Sequence, residues 1–419
     1  MAVDPQILQF HQRLAERFGA LPLPADALAR RARFAAVAEV LARPDPEGIE
    51  ASDLTLPLPG RTLDAVMFRP RSVQRPRLLV WFHGEGWMVG AARTTHRLMC
   101  ALLAADTGCA VISVDYRLAP EHPFPAPTDD ARDALAYLAE QRLHLSLDPD
   151  FLAVGGDSAG GHLAAQAAQA VHDRVRPGLV TAQLLVCPAT MPAFGSESYS
   201  AFAQGPGLTR DEMRWYWAQF IGEAALDRPL AEQDARLFLM ADPPAHLPPD
   251  TVVIVAAHDV LRDDGLAYAD HLVQHGAQVV TIEASGMTHG FARLQPEAER
   301  AREWMRRAAH AFVGMIGGMP PADASVRRAY PEPRQHAACD EQREVIVYAG
   351  LGGERAHRFQ IGLADEIGRC AGVLHDLVDL LVLVGYGGAH DSFPVLAVAV
   401  ARGVGCAARD HYRKRVGTV

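Results

Sequence analysis

Lysine is almost missing from this chain: it occurs once, at Lys414, and arginine supplies the other 39 basic residues. That bias suggests a GC-rich gene. A basic surplus is missing too. Forty Lys+Arg stand against fifty Asp+Glu, a formal charge of −10, so no cationic surface is left over for a phosphate backbone and nucleic acid is excluded as a partner. Long apolar runs are absent as well. The longest, around residues 380–384, is strand-sized, against the ~18 to 20 residues needed to span a bilayer, and the opening MAVDPQILQF has no charged region leading into an apolar core. No stable membrane insertion is expected. The six cysteines (Cys100, Cys109, Cys187, Cys339, Cys370, Cys406) form no C-x-x-C pair and no zinc spacing, which reads as reduced thiols in a cytoplasmic protein. No internal repeat is present. What remains, 419 residues with 49% apolar and 21% charged, is a soluble globular composition large enough for one to three domains.

Residues 6–42 place Ile7, Phe10 and Leu14, then Phe34, Val37, Val40 and Leu41, at helical spacing on either side of a break at residues 21–24, predicting two amphipathic helices. After Pro44 short β-rich runs alternate with Ala/Leu-rich helical stretches, the pattern of a parallel sheet with crossover helices. The strand candidates are residues 78–82, 110–114, 151–154, 182–186, 251–256 and 278–282. Helices such as 130–141 and 161–171 are long enough to cover both faces. Between Pro188 and Pro248 the alternation is interrupted by Thr209-Arg210-Asp211-Glu212, a capping box, followed by Met213, Tyr216, Trp217 and Phe220 on one helical face. This helix reads equally as a lid over the sheet edge or as ordinary core.

From Pro320 onward there are 12 Lys+Arg and 12 Asp+Glu, so the surplus negative charge belongs to the earlier chain. Strand-like runs at 345–348 and 380–384 are each followed by glycines, but Arg355 and His390 stand where a third glycine of G-x-G-x-x-G belongs, which argues against a dinucleotide site. The tail reads as a fused small domain or as non-selected sequence.

The strongest chemical signal is Gly156-Asp157-Ser158-Ala159-Gly160-Gly161, directly after one predicted strand and directly before a helix. A strand that turns sharply into a helix needs small neighbours, here Gly156 and Gly160, and projects its corner side chain, Ser158, into the open. The new helix aims its unpaired N–H groups at the same spot, so the N–H of Ala159 is placed to bind a developing oxyanion. A serine hydroxyl needs a base, and the base an orienting acid, and at such a turn these follow in the order Ser, Asp, His. After strand 251–256 comes His258-Asp259-Val260-Leu261-Arg262-Asp263-Asp264, and after strand 278–282 comes Gly286-Met287-Thr288-His289-Gly290-Phe291. Asp259 and His289 are the candidates, with Asp263 and Asp264 more plausible as caps of a helix starting near Gly265. Immediately after strand 78–82, His83-Gly84-Glu85-Gly86-Trp87 occupies the place of an oxyanion loop.

Taken with Asp115-Tyr116-Arg117-Leu118-Ala119-Pro120-Glu121-His122-Pro123-Phe124-Pro125-Ala126, these segments resemble the hormone-sensitive-lipase-like family of α/β-hydrolases, especially bacterial carboxylesterases with the GDSAG motif, over about residues 1–315. The resemblance implies an α/β-hydrolase fold: a mostly parallel central sheet with helices on both faces and a helical cap. Residues 1–50 and the insertion 188–248 would form that cap, 51–315 the catalytic domain, and 316–419 an extension outside the resemblance. It further implies Ser158 as nucleophile, Asp259 as acid, His289 as base, and oxyanion donors at Gly84, Glu85 and Ala159. Trp87, Tyr216 and Trp217 would border an apolar pocket of limited size. The substrate would be a small ester with a short to medium acyl chain, hydrolysed without metal or organic cofactor, and a homo-oligomer is compatible with the sequence. The alternatives are amide or peptide hydrolysis by the same triad, or a non-catalytic ligand-binding member of the fold, against which the presence of His289 speaks. Two positions depart from the family pattern: Val260 replaces a proline, and Glu85 replaces a glycine. The Glu85 side chain is expected to turn outward towards Arg93 or Arg97 while its N–H still donates.

Overall fold

The structure, a computed structural model, describes residues 2–19, 26–174, 178–241, 244, 246–317, 377–385 and 396–404. The chain divides into two units, Met1–Gln335 and His336–Val419. The first opens with helices α1 (Pro5–Phe18) and α2 (Ala27–Leu41). Each is started by an aspartate whose carboxylate accepts from a backbone N–H of the first turn, Asp4 from Gln6 and Asp26 from Ala29. There follow β1 (Ile49–Leu58), β2 (Arg61–Pro70), β3 (Leu78–Phe82), α3 (Arg97–Thr107), β4 (Ala110–Asp115), α4 (Ala126–Gln141), β5 (Leu152–Asp157), α5 (Ala159–Arg174) and β6 (Ala182–Val186). The segment between β6 and β7 holds α6 (Glu197–Ala201), α7 (Arg210–Ile221) and α8 (Glu223–Leu226), and the unit closes with β7 (Asp250–His258), α9 (Arg262–Gln274), β8 (Val279–Thr288) and α10 (Glu299–Met315). In the second unit β9 (Leu377–Gly385) pairs antiparallel with β10 (Leu396–Val404). The strand-like run at 345–348 and the glycines beside both runs, apart from Gly385 at the end of β9, lie outside the described residues.

Eight strands form one sheet in the order β1-β2-β4-β3-β5-β6-β7-β8, and every pairing from β4 to β8 is parallel. The six strands expected from the sequence are all present. The sequence reading missed the β1–β2 hairpin. Near its turn exposed residues (Asp53, Thr55, Thr62, Asp64) alternate with buried ones (Leu56, Leu58, Leu63, Ala65), as suits strands solvated on one side, and Pro59-Gly60 turns the chain with Gly60 at φ +72°. The central β3 is Leu-Leu-Val-Trp-Phe with every residue buried, because helices cover both its faces. Leu78, Val80 and Phe82 join the core beneath α4, α5 and α9, whereas Leu79 and Trp81 join the core beneath α3 and α10, to which α1 and α2 add Ile7, Phe10, Val37 and Leu41. Among the described residues no helix is long and apolar enough to cross a membrane. Since the strands run parallel, the loops after β3, β5, β7 and β8 all emerge at one edge, and the site assembles there.

Candidate active site

Ser158 is the single residue between β5 and α5, and it sits at φ +55°. That left-handed conformation is unfavourable for a side-chain-bearing residue and is held by its surroundings. Its N–H donates to the Val186 carbonyl at 2.8 Å, and its own carbonyl accepts from His162 and Ala189. A Cβ on Gly156 would run into the Gly160 backbone, and one on Gly160 into the Phe82 backbone, so the turn tolerates only glycine at both positions. Asp259 follows β7 and His289 follows β8. His289 Nδ1 lies 2.7 Å from Asp259 Oδ2 and His289 Nε2 lies 2.9 Å from Ser158 Oγ. The other carboxylate oxygen of Asp259 accepts the Leu261 N–H at 3.0 Å, which fixes the plane of the group. Burial alone would lower the imidazole pKa, but the Asp259 charge and hydrogen bond outweigh it and hold His289 above its ordinary 6.5.

Asp263 and Asp264 do not serve as helix caps, because α9 starts earlier, at Arg262, with Leu261 in the capping position. Asp263 instead accepts from the Ser198 N–H, tying α6 to α9. Asp264 is buried, and burial pushes its carboxyl well above the usual range. Neither contacts His289. Cys187, which the sequence reading did not single out, stands beside Asp259 and His289, with one candidate ligand atom of each residue within 4.8 Å of the others. Burial and then the Asp259 charge push its thiol well above its ordinary value, so it stays protonated.

The loop after β3 carries three consecutive left-handed residues, Glu85 (φ +78°), Gly86 (φ +68°) and Trp87 (φ +58°). In such a helical turn successive N–H groups point the same way, as at a helix N-terminus, an arrangement that favours an anion. Gly84 differs from expectation: its N–H is already used, donating to Asp157 Oδ1 at 3.2 Å. The backbone N–H groups of Glu85, Gly86 and Ala159 have no partner among the described residues. Asp157 is the loop's anchor, for its carboxylate also accepts from Trp81 Nε1 at 3.2 Å and faces His96 Nε2 at 3.1 Å. Burial works against its ionisation, but the neighbouring His96 and the hydrogen bonds from His96 and Trp81 prevail and hold it below its ordinary value. The Asp115 to Ala126 segment braces the same loop: Tyr116 donates to the His83 carbonyl at 2.7 Å, and the Ala119 N–H to the Trp87 carbonyl at 2.9 Å.

Helix α7 covers this loop, and its start is the expected capping box, with both Thr209–Glu212 bonds made. Trp87 is stacked on Phe220 with ring centroids 4.4 Å apart and abuts Trp217 at the same distance. Trp87 and Trp217 are both fully buried, packed with Phe220 and His162, rather than bordering an open pocket. Tyr216 lies against Gly86, so tightly that a Cβ at Gly86 would enter its ring. The lid and core readings of α7 are therefore both partly right. Gly86→Ala should lower kcat by about 10² to 10³-fold, the loss of one oxyanion donor, with smaller effect on KM. Steady-state kinetics of the variant check this, and truncating Tyr216 to alanine in the same chain should recover part of the loss.

Glu85 does not turn towards Arg93 or Arg97, which pair with Asp53 and Asp45 respectively. It is buried and ion-paired with Arg293, four residues beyond His289. No local pattern in the sequence joins positions 85 and 293.

A family model described as alpha/beta hydrolase fold matches residues 79–293. The chain is 35% identical over 303 residues to the carboxylic ester hydrolase LipN of Mycobacterium tuberculosis, covering 70% of this chain and 77% of that protein. It is 33% identical over 313 residues to the ethyl acetate hydrolase of Pseudomonas putida, covering 72% and 96%. Among solved structures, the hyperthermophilic esterase from Pyrobaculum calidifontis superposes with a TM-score of 0.68 at 33% identity, covering 75% of this chain and 99% of that one.

Proposed function

Because the chain belongs to the hormone-sensitive-lipase-like family of alpha/beta hydrolases, we propose that it is a carboxylesterase acting on short to medium acyl esters through an acyl-enzyme on Ser158. The observation that carries this reading is the continuous hydrogen-bonded line from Asp259 through His289 to Ser158 Oγ. Ser158 Oγ attacks the ester carbonyl carbon as its proton passes to His289 Nε2, and the carbonyl oxygen becomes an oxyanion. We assign its donors as the N–H groups of Glu85, Gly86 and Ala159, with Gly84 replaced by Gly86. Collapse expels the alcohol, which takes the proton from His289. Water then repeats the sequence in reverse, leaving the carboxylic acid and the free serine. Asp259 holds the imidazole in the tautomer with its proton on Nδ1 and stabilises the imidazolium.

The size preference follows from enclosure. Ser158 is only 8% exposed, and the rings around Trp87 are already packed against one another. In a p-nitrophenyl ester series kcat/KM should peak at about two to six acyl carbons and fall at least about tenfold by twelve, since each unaccommodated methylene costs on the order of 1 kcal/mol or more. A flat or rising profile to twelve carbons would contradict it. A matched anilide should turn over far more slowly than the ester, because an amine leaves less readily; equal rates would favour the amidase reading. The same reading puts the enzyme in the cytoplasm, as a chain whose described cysteines, Cys100, Cys109 and Cys187, are all free buried thiols.

A further inference from the structure

The middle of an oxyanion loop is a poor place for glutamate. Glu85 sits at φ +78°, where only glycine is free of strain, and its N–H is one of the three donors that would receive the negative charge. A lone carboxylate on that residue would oppose the charge that develops in the reaction. Among the described residues its ion-pair partner is Arg293. The Glu85 and Arg293 side chains are 7% and 12% exposed and form an ion pair. Arg293 lies in the short helical turn Phe291–Arg293 that follows His289-Gly290, and its N–H donates to the Gly290 carbonyl at 3.1 Å. Its guanidinium also packs over the Phe34 ring of α2, 5.7 Å from the centroid. Burial brings its pKa down to about 10, so it is still cationic at neutral pH.

We propose that Glu85 and Arg293 are a pair of positioning residues: the ion pair clamps the oxyanion loop to the turn that carries His289, and Arg293 neutralises the Glu85 carboxylate, which would otherwise repel the oxyanion. This rests on the ester-hydrolase reading of the site. Its specific content is an asymmetry. Removing Arg293 alone leaves an uncompensated carboxylate at the hole, whereas removing both charges leaves none.

The test is a double-mutant cycle of Arg293→Met, Glu85→Gln and the double variant, assayed for kcat and KM on p-nitrophenyl butyrate and for inhibition by a trifluoromethyl ketone, which forms an oxyanion-like adduct. Arg293→Met should lower kcat on the order of 10²-fold with KM changed less than about threefold, and weaken the ketone in similar proportion. Adding Glu85→Gln should restore at least about tenfold of both. A merely structural pair would lower the thermal unfolding midpoint in Arg293→Met and restore it in the double variant while kcat and ketone affinity per folded chain stay flat, and that result, or an Arg293→Met kcat within about threefold of the parent, would overturn the proposal. Should Arg293→Met fail to fold, Arg293→Lys against Arg293→Gln decides. The first should stay within about fivefold of the parent and the second should not, and equal losses in both would overturn it. A Ser158→Ala chain run alongside separates the two levels: full activity there sinks the reading of the site, whereas loss there with a flat cycle sinks only the pair.

Discussion

Ser158→Ala should lower kcat/KM on an activated ester by about 10⁴ to 10⁶-fold while leaving the thermal unfolding midpoint within a few degrees of the parent. The two halves of that expectation come from the same geometry. Alanine at φ +55° meets the same backbone strain as serine, and the surrounding hydrogen bonds, Ser158 N–H to Val186 and Ser158 carbonyl to His162 and Ala189, involve only main chain at position 158. The fold therefore loses a single side-chain bond, to His289. The chemistry loses its nucleophile. What remains is the set of proposed N–H donors at Glu85, Gly86 and Ala159, which would still polarise a bound carbonyl, so a residual rate above that of water is expected. More than about one percent of parental activity, measured on chain purified away from host esterases, would exclude Ser158 as the attacking group.

Asp259→Asn is the second large effect, expected at about 10⁴-fold in kcat. The Leu261 N–H donates to Asp259 Oδ1, so an asparagine keeps its carbonyl oxygen there and turns its amide NH₂ towards His289 Nδ1. The imidazole must then accept at Nδ1, which places its proton on Nε2, facing Ser158, where a lone pair is required. The same substitution carries a pH signature. His289 accepts the serine proton only when neutral, so kcat/KM rises with pH through its free-enzyme pKa, which the Asp259 charge and hydrogen bond hold above 6.5. Taking that charge away leaves burial as the dominant influence, and burial acts downward. The acidic limb of the parent should therefore lie above pH 6.5 and that of Asp259→Asn below the parent's. A limb that stays in place would mean another group governs it.

The legible features of this chain are those written over a few consecutive residues. The buried strands read as continuous apolar runs because helices cover both faces of the sheet, and the GDSAG turn reads from its glycines because backbone crowding at Gly156 and Gly160 admits nothing else. The Thr209 capping box is equally local. Strands β1 and β2 were not legible, because exposed polar residues such as Asp53, Thr55, Thr62 and Asp64 interrupt their apolar runs. The errors at the site have a common cause, which is dependence on a distant partner. Gly84 looked like an oxyanion donor until Asp157, brought close by the β3–β5 pairing, took its N–H. The partner of Glu85 lay more than two hundred residues away at Arg293, while nearer arginines were already paired with Asp53 and Asp45. Trp87 and Trp217 read as pocket residues because their enclosure depends on how α7 lies over the loop.

The central claim is that one serine hydroxyl, activated by His289, attacks the ester, and the most direct measurement of it is active-site titration with a p-nitrophenyl alkylphosphonate followed by peptide mass spectrometry. The account predicts one equivalent of p-nitrophenolate released per chain, complete loss of esterase activity, and the phosphonyl group on Ser158. A phosphonyl group on any other residue, or inactivation without labelling of Ser158, would contradict it.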